Sequence, residues 1–193
     1  MMANLLWIFV SSMLVNNFTL VLFLGLCSFF GVTNNIPTAL RLGFANLFVL
    51  VLTAASVSLL NNFVLGSAPY LRLITFIIVI ASLVQIVEMA IKKLSPMLFR
   101  ELGIYLPLIT TNCAILALAI FQTNRNYTFI EGQVFALGAG AGLILALTLM
   151  ASIREKLQFA TVPAVAKGTA IVLIIAGSLS LAFMGFAGLL SGA

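Results

Sequence analysis

The strongest metal ligands in this sequence are the thiols of Cys27 and Cys113, and the chain contains no histidine. Their separation matches no ligand motif, and a pair of cysteines among apolar residues reads first as small core side chains, with nothing in the sequence pointing to a disulfide. Beside Cys113 stand Thr110, Thr111 and Asn112, and a second pair of amides, Asn16 and Asn17, lies in an apolar run upstream of Cys27. Glu88 is an acidic residue in apolar surroundings, with Gln85 one turn before it. A carboxylate inside a bilayer is by default a candidate for ion or proton handling. Glu88 also precedes Lys92 by one helical turn, the spacing of an exposed ion pair, so ion handling by Gln85 or Glu88 is the secondary reading. No histidine-based metal site, catalytic triad or carboxylate pair can be assembled, and no independent catalytic site is expected.

The elements that must position these residues follow from composition. Hydrophobic residues make up 63% of the 193 positions and charged residues 7%, a balance that no water-exposed globular surface could carry. The net charge of +5 comes from Lys and Arg scattered singly before apolar runs, which speaks for membrane orientation and against nucleic-acid binding. Apolar runs cover Leu5–Phe30, Ala39–Leu60, Leu73–Ile91, Leu102–Phe121, Val134–Ile153 and Thr169–Leu190, giving six expected spans with no room for a soluble domain. The first run reads as a retained span, because no Lys or Arg precedes Arg41 and no cleavage motif follows. Turn signals separate the runs: Thr33-Asn34-Asn35 with Pro37, Asn61-Asn62 with Gly66 and Pro69, Ser95-Pro96, the polar stretch Gln122–Thr128, and Pro163.

With alternating spans, one side carries Arg41, Lys92, Lys93, Arg100, Arg154, Lys156 and Lys167, and the other Arg72 and Arg125. Positive loops stay in the cytoplasm, so both termini are expected on the periplasmic side of a bacterial inner membrane. Shifted by 95 positions, the chain matches itself weakly: Leu14-Val15-Asn16-Asn17 falls on Ile109-Thr110-Thr111-Asn112, and Leu42-Gly43 on Leu137-Gly138. The expectation is an all-α integral membrane protein, residues 1–193 forming a single membrane domain of two inverted three-helix repeats, about 1–93 and about 100–193.

As one helix the first run would be ~39 Å long, more than the hydrocarbon core needs, and Asn16 and Asn17 fall about halfway along it. Adjacent amides there need partners that an unbroken lipid-facing helix does not offer. The fourth run repeats the situation with Pro107, which removes a backbone donor, followed by Thr110, Thr111 and Asn112. Both helices are therefore expected to be discontinuous, although Asn and Thr also serve simply to hydrogen-bond neighbouring helices. Gly138-Ala139-Gly140-Ala141-Gly142 lies within a span and reads as close helix packing rather than a phosphate loop, and Gly185 and Gly188 read likewise.

Several stretches together resemble one family. Val15-Asn16-Asn17-Phe18 with Phe23-Leu24-Gly25-Leu26-Cys27, Leu102-Gly103-Ile104 with Leu106 through Ala114, Ile153-Arg154-Glu155-Lys156 and Ala182-Phe183-Met184-Gly185-Phe186 are similar to the A-type subunit family of Rnf electron-transport complexes. The related E subunit of the sodium-pumping NADH:quinone oxidoreductase is similar too, while Tyr70-Leu71-Arg72 in the short link before the third span looks more like the Rnf version. The resemblance covers almost the whole chain. It implies a [2Fe-2S] cluster inside the membrane with Cys27 and Cys113 as two ligands, the other two coming from a homologous E-type membrane subunit of inverted orientation. It also implies further Rnf subunits (B, C, D and G) as partners, and a complex coupling electron flow between ferredoxin and NAD⁺ to Na⁺ or H⁺ transport, to which this chain would belong as one component of a redox-driven translocase. The 95-residue register sets Cys113 over Phe18 rather than Cys27, so the repeat does not itself predict paired cysteines. The rival readings are a small secondary transporter with a solute site between inverted repeats, the equivalent subunit of the quinone-reducing complex, and a passive membrane scaffold.

Overall fold

The computed structural model describes residues 2–33, 35–63, 71–94, 108, 112–159 and 168–190, and these are helical with short irregular connections. In chain order the helices are α1 (Met2–Val10), α2 (Leu26–Val32), α3 (Ile36–Phe63), α4 (Arg72–Leu94), α5 (Cys113–Asn124), α6 (Phe129–Gln158) and α7 (Thr169–Leu190). Four of them, α3, α4, α6 and α7, are long and apolar enough to cross a membrane. The first and fourth apolar runs instead contribute the shorter apolar helices Leu5–Val15 and Cys113–Asn124. Pro107, Thr110, Thr111, Arg100, Lys167 and the link over 64–70 lie outside the described residues.

Helices α3 and α6 form the central pair. A side chain at Gly140 would meet Leu47, and one at Gly43 would meet Ile144, so the two helices run antiparallel with their backbones close where glycine permits it. The other face of the glycine run takes the first segment: Gly138 lies against Ser12 and Phe9, and Gly142 against Met13 and Asn17. The expected role of Gly138–Gly142 in close packing therefore holds, with different glycines of the run serving each neighbour. Gly177 and Gly185 meet nothing among the described residues, so no close packing at Gly185 is seen there. Burial follows the same division: 61% of the α6 span and 44% of the α3 span are covered inside the chain, against 17% for α4 and 22% for α7. Thus α4 and α7 form the outer layer, open to lipid or to other polypeptides.

Helix ends differ from the sequence expectation in one place that matters. Gln122, expected in a polar loop, is buried inside α5, and the connection shrinks to Arg125–Thr128. A capping box explains the short turn: Glu131 accepts from the backbone N–H and the hydroxyl of Thr128, at 3.0 and 2.9 Å, which starts α6 five residues before its apolar run. Pro37 sits in the first turn of α3, where its missing N–H costs nothing.

Candidate functional site

The first segment loses regular helical pairing where its polar residues begin. Ser11–Val15 form a wide turn that closes with the N–H of Asn16 donating to the carbonyl of Ser11 at 2.7 Å, and residues from Asn16 to Gly25 are not helical. Every such residue frees backbone groups that lipid cannot satisfy. Asn17, 1% exposed, takes up much of that need. Its Oδ1 accepts from the N–H groups of Thr19 and Leu20 at 3.0 and 3.3 Å, while its Nδ2 donates to the carbonyls of Met13 and Gly142 at 3.1 and 3.0 Å. Asn16 makes a lesser contribution, donating to Ser11 Oγ at 3.2 Å. Phe18 anchors the segment, stacking on Phe121 of α5 at 5.7 Å and meeting Phe135 of α6 edge-on at 5.8 Å. Together with Tyr127 these rings form an aromatic cluster under the Arg125 guanidinium, whose carbon lies 5.8 Å from the Phe135 ring centre.

Helix α2 then starts at a glycine that no other residue replaces freely. Gly25 has φ +79°, and a Cβ there would approach Asn112 Oδ1 at 3.2 Å. The position therefore asks for a left-handed backbone and for room beside α5 together. Its N–H donates to Cys113 Sγ at 2.9 Å, joining the start of α2 to the start of α5. Asn112 caps α5 by accepting from the N–H of Ala114 at 3.0 Å, and its Nδ2 reaches Ser28 Oγ at 3.5 Å. Ser28, next to Cys27, donates to the carbonyl of Leu108 at 3.3 Å. Cys27 lies in the first turn of α2 and Cys113 opens α5, and both are exposed and free. Leu22 and Phe23 are exposed beside this join as well, Phe23 in the left-handed region at φ +55°.

The far end of α2 is held by a charge. Arg154 of α6 donates through Nη1 to Thr33 Oγ1 at 2.8 Å and to the carbonyl of Phe30 at 3.4 Å, satisfying acceptors that a helix end leaves open. Sequence reasoning took Arg154 as an orientation charge and as part of a family-like stretch, and did not foresee this contact. It also overlooked Ser28 and the structural use of Gly25, although both flank Cys27 and a glycine before a short apolar helix is a readable signal.

The structure thus ties Cys113 and Asn112 to the start of α2, the short helix that carries Cys27, with Asn17 and Asn16 organising the chain that leads to it. Gln85 is exposed and Glu88 half-buried on α4, an outer helix that packs on α3 and α5. Among the described residues no three His, Cys, Asp or Glu side chains gather as a metal site. As a test of the cluster expectation, the donor set fits half of an iron–sulfur site: two surface sulfurs, one already accepting a backbone N–H, as cluster-ligating thiolates do.

An all-helical membrane chain with two exposed thiols and two outer helices largely uncovered within the chain has the form of a subunit made to be completed by others. The family model described as "Rnf-Nqr subunit, membrane protein" matches residues 5–190, and the chain belongs to that family. It is 51% identical to the A subunit of the ion-translocating oxidoreductase complex of Syntrophotalea carbinolica, over 99% of this chain and 100% of the relative. The subunits of the same name from Proteus mirabilis and Sodalis glossinidius are 50% and 48% identical, each over 97% of this chain and 98% of theirs. Those relatives are subunits of an oxidoreductase complex that translocates ions, which is what the resemblance in the sequence implied.

Proposed function

We propose that this chain is the A-type membrane subunit of an ion-translocating ferredoxin:NAD⁺ oxidoreductase, with Cys27 and Cys113 supplying two of the four ligands of a [2Fe-2S] cluster. The observation that carries the reading is the contact between Gly25 N–H and Cys113 Sγ at 2.9 Å, which ties together the two helix starts that bear the thiols. A homologous E-type subunit would supply the other two sulfurs, docking where Leu22, Phe23, Cys27 and Cys113 are exposed. The B, C, D and G subunits complete the assembly. The six apolar runs then form two inverted repeats with discontinuous first and fourth helices, in a bacterial inner membrane with both termini periplasmic.

In this reading each side chain has a task. Cys27 and Cys113 hold iron, Gly25 N–H stabilises charge on the Cys113 sulfur, and Asn112 and Ser28 fix the spacing of the two helix starts. Asn17 keeps the irregular backbone satisfied so that it can lie within lipid. Arg154 holds the end of α2 and thereby the position of Cys27. Leu22 and Phe23, with a covering partner, would keep water from the sulfurs. The cluster, when bound, supplies one-electron acceptance and donation at a potential set by burial and hydrogen bonds to its sulfurs.

The test is to purify the whole complex with Cys27→Ser or Cys113→Ser and record iron content and low-temperature EPR spectra. Each substitution should remove the same iron–sulfur signal and lower electron flux to NAD⁺ at least tenfold. An unaltered signal and flux in both variants would reject the assignment.

A further inference from the structure

Burying a hydrogen-bonding group without a partner is costly, and more so inside a bilayer, so unpartnered polar atoms in a membrane core point to something that visits them. Six buried side-chain atoms find no hydrogen-bond partner among the described residues: Thr19 Oγ1, Asn46 Nδ2 and Oδ1, Thr53 Oγ1, Gln122 Oε1 and Gln133 Nε2. Thr19, Asn46, Thr53 and Gln122 are each at most 3% exposed. The helical hydroxyls of Thr123 and Thr148 satisfy themselves on the carbonyl four residues before, so Thr53 departs from the habit of other helical threonines in this chain.

These atoms are not scattered. Asn46 and Thr53 are seven residues apart on α3, which places them on one side of the helix about 10 Å apart along its axis. The contacts of Leu47 with Gly140 and of Gly43 with Ile144 set Asn46 level with Ala141 and Gly142. Gly142 is where Asn17 anchors the irregular segment, so Asn46 stands at the depth of the break. One step on, Gln122 spends its Nε2 on the carbonyl of Ala54 at 3.2 Å and on Ser58 Oγ at 3.4 Å, which leaves its Oε1 over at the level of Thr53. The antiparallel register puts Gln133 of α6 opposite Ala54 at that same level. Beyond it lies the turn Arg125–Thr128, with Arg125, Asn126 and Thr128 exposed.

We propose that Asn46, Thr53, Gln122 and Gln133 line a half-channel for a hydrated monovalent cation, running from the depth of the break to the Arg125–Thr128 turn. The donor set argues for that class of ligand. Three of these side chains offer unpartnered neutral oxygens (Asn46, Thr53 and Gln122) and none is a carboxylate, which suits weak, stepwise contact with a singly charged ion and its water and not retention of a divalent metal. The amide nitrogens of Asn46 and Gln133 bind that water as donors. In the orientation set by the positive loops the turn lies on the periplasmic side, so the half-channel connects that side with the interior near the thiols. The inference rests on the ion-translocating reading of the family and names the path within this subunit.

Asn46→Leu and Thr53→Val test it in the whole complex reconstituted in liposomes, driven by reduced ferredoxin and NAD⁺. Ion uptake per NADH, followed with ²²Na⁺ and separately with a pH-sensitive dye, should fall tenfold or more in the arm that carries the ion. The iron–sulfur EPR signal and uncoupled NADH formation should stay at wild-type level, which separates this outcome from a failure of the cluster assignment. If Asn46→Leu does not assemble, Thr53→Val decides. A second measurement uses Thr53→Cys treated with a small cationic methanethiosulfonate reagent from the periplasmic side, the adduct being located by mass spectrometry. Modification at position 53 is expected. Wild-type coupling in an assembled Thr53→Val complex, or an unmodified position 53, would overturn the half-channel.

Discussion

Asn17 and Asn112 build the same local turn in two different settings. Each Oδ1 accepts from the N–H two residues on, at 3.0 Å, and the two residues correspond in the 95-residue register of the sequence. Asn17 then spends its Nδ2 on two backbone carbonyls, one of them on the central helix α6, and the chain after it stays irregular through Gly25. Among the described residues the Nδ2 of Asn112 reaches only Ser28, at 3.5 Å, and α5 begins at once with an exposed cysteine. At the position matching Cys113 the first half carries Phe18, packed between Phe121 and Phe135. One turn is thus built into the scaffold and the other sits at the edge where a partner can reach a sulfur. The same side-chain turn opens a helix in one half and an irregular stretch in the other, and its surroundings decide which.

That contrast can be broken most directly by removing each amide. Asn17→Leu strands the N–H groups of Thr19 and Leu20 and the carbonyl of Gly142, at about 1–3 kcal/mol for each buried group left unpaired, and a large fall in the melting temperature and yield of the complex is expected. Asn112→Leu removes chiefly a helix cap, about 1 kcal/mol, so it should assemble while altering the EPR line shape or midpoint potential of the iron–sulfur signal. Equal losses of stability in the two variants would show that the settings do not differ. Gly25→Ala sharpens the comparison at the join itself. A left-handed backbone costs an alanine roughly 1–2 kcal/mol, and its methyl group would press on Asn112 Oδ1, so the cluster potential should shift more than the melting temperature. A last pair of substitutions separates inner from outer glycines. Gly142→Ala should destabilise by about 1–3 kcal/mol because its Cβ would lie 2.8 Å from the carbonyl oxygen of Met13. Gly177→Ala, with open space around it, should stabilise by roughly 0.5–1 kcal/mol through helix propensity, and thermal melts in detergent would read both.

Membership of a bilayer and the approximate limits of the apolar runs were legible from residue types alone, because transfer of long uncharged segments out of water depends on composition far more than on arrangement. The need of Asn16 and Asn17 for partners could be read too, since an amide competes with backbone pairing wherever it stands. The glycine run of α6 could be read as packing for a similar reason: removing Cβ atoms four residues apart has one geometric consequence.

Arrangement was needed for the rest. In lipid, a helix side that faces hydrocarbon and one that faces protein use the same residues, so no pattern announced that α3 and α6 are the inner pair or that α4 and α7 lie outside. Gln122 looked like loop because it sits among polar neighbours, but its partner is the carbonyl of Ala54, 68 residues away in the chain. The same holds for the meeting of Gly25 N–H with Cys113 Sγ across 88 residues and for the unpartnered amide of Asn46. Sequence specified which groups require partners; folding decided which of them meet, because a hydrogen bond is fixed within about 3 Å while the chain between its ends can take many courses.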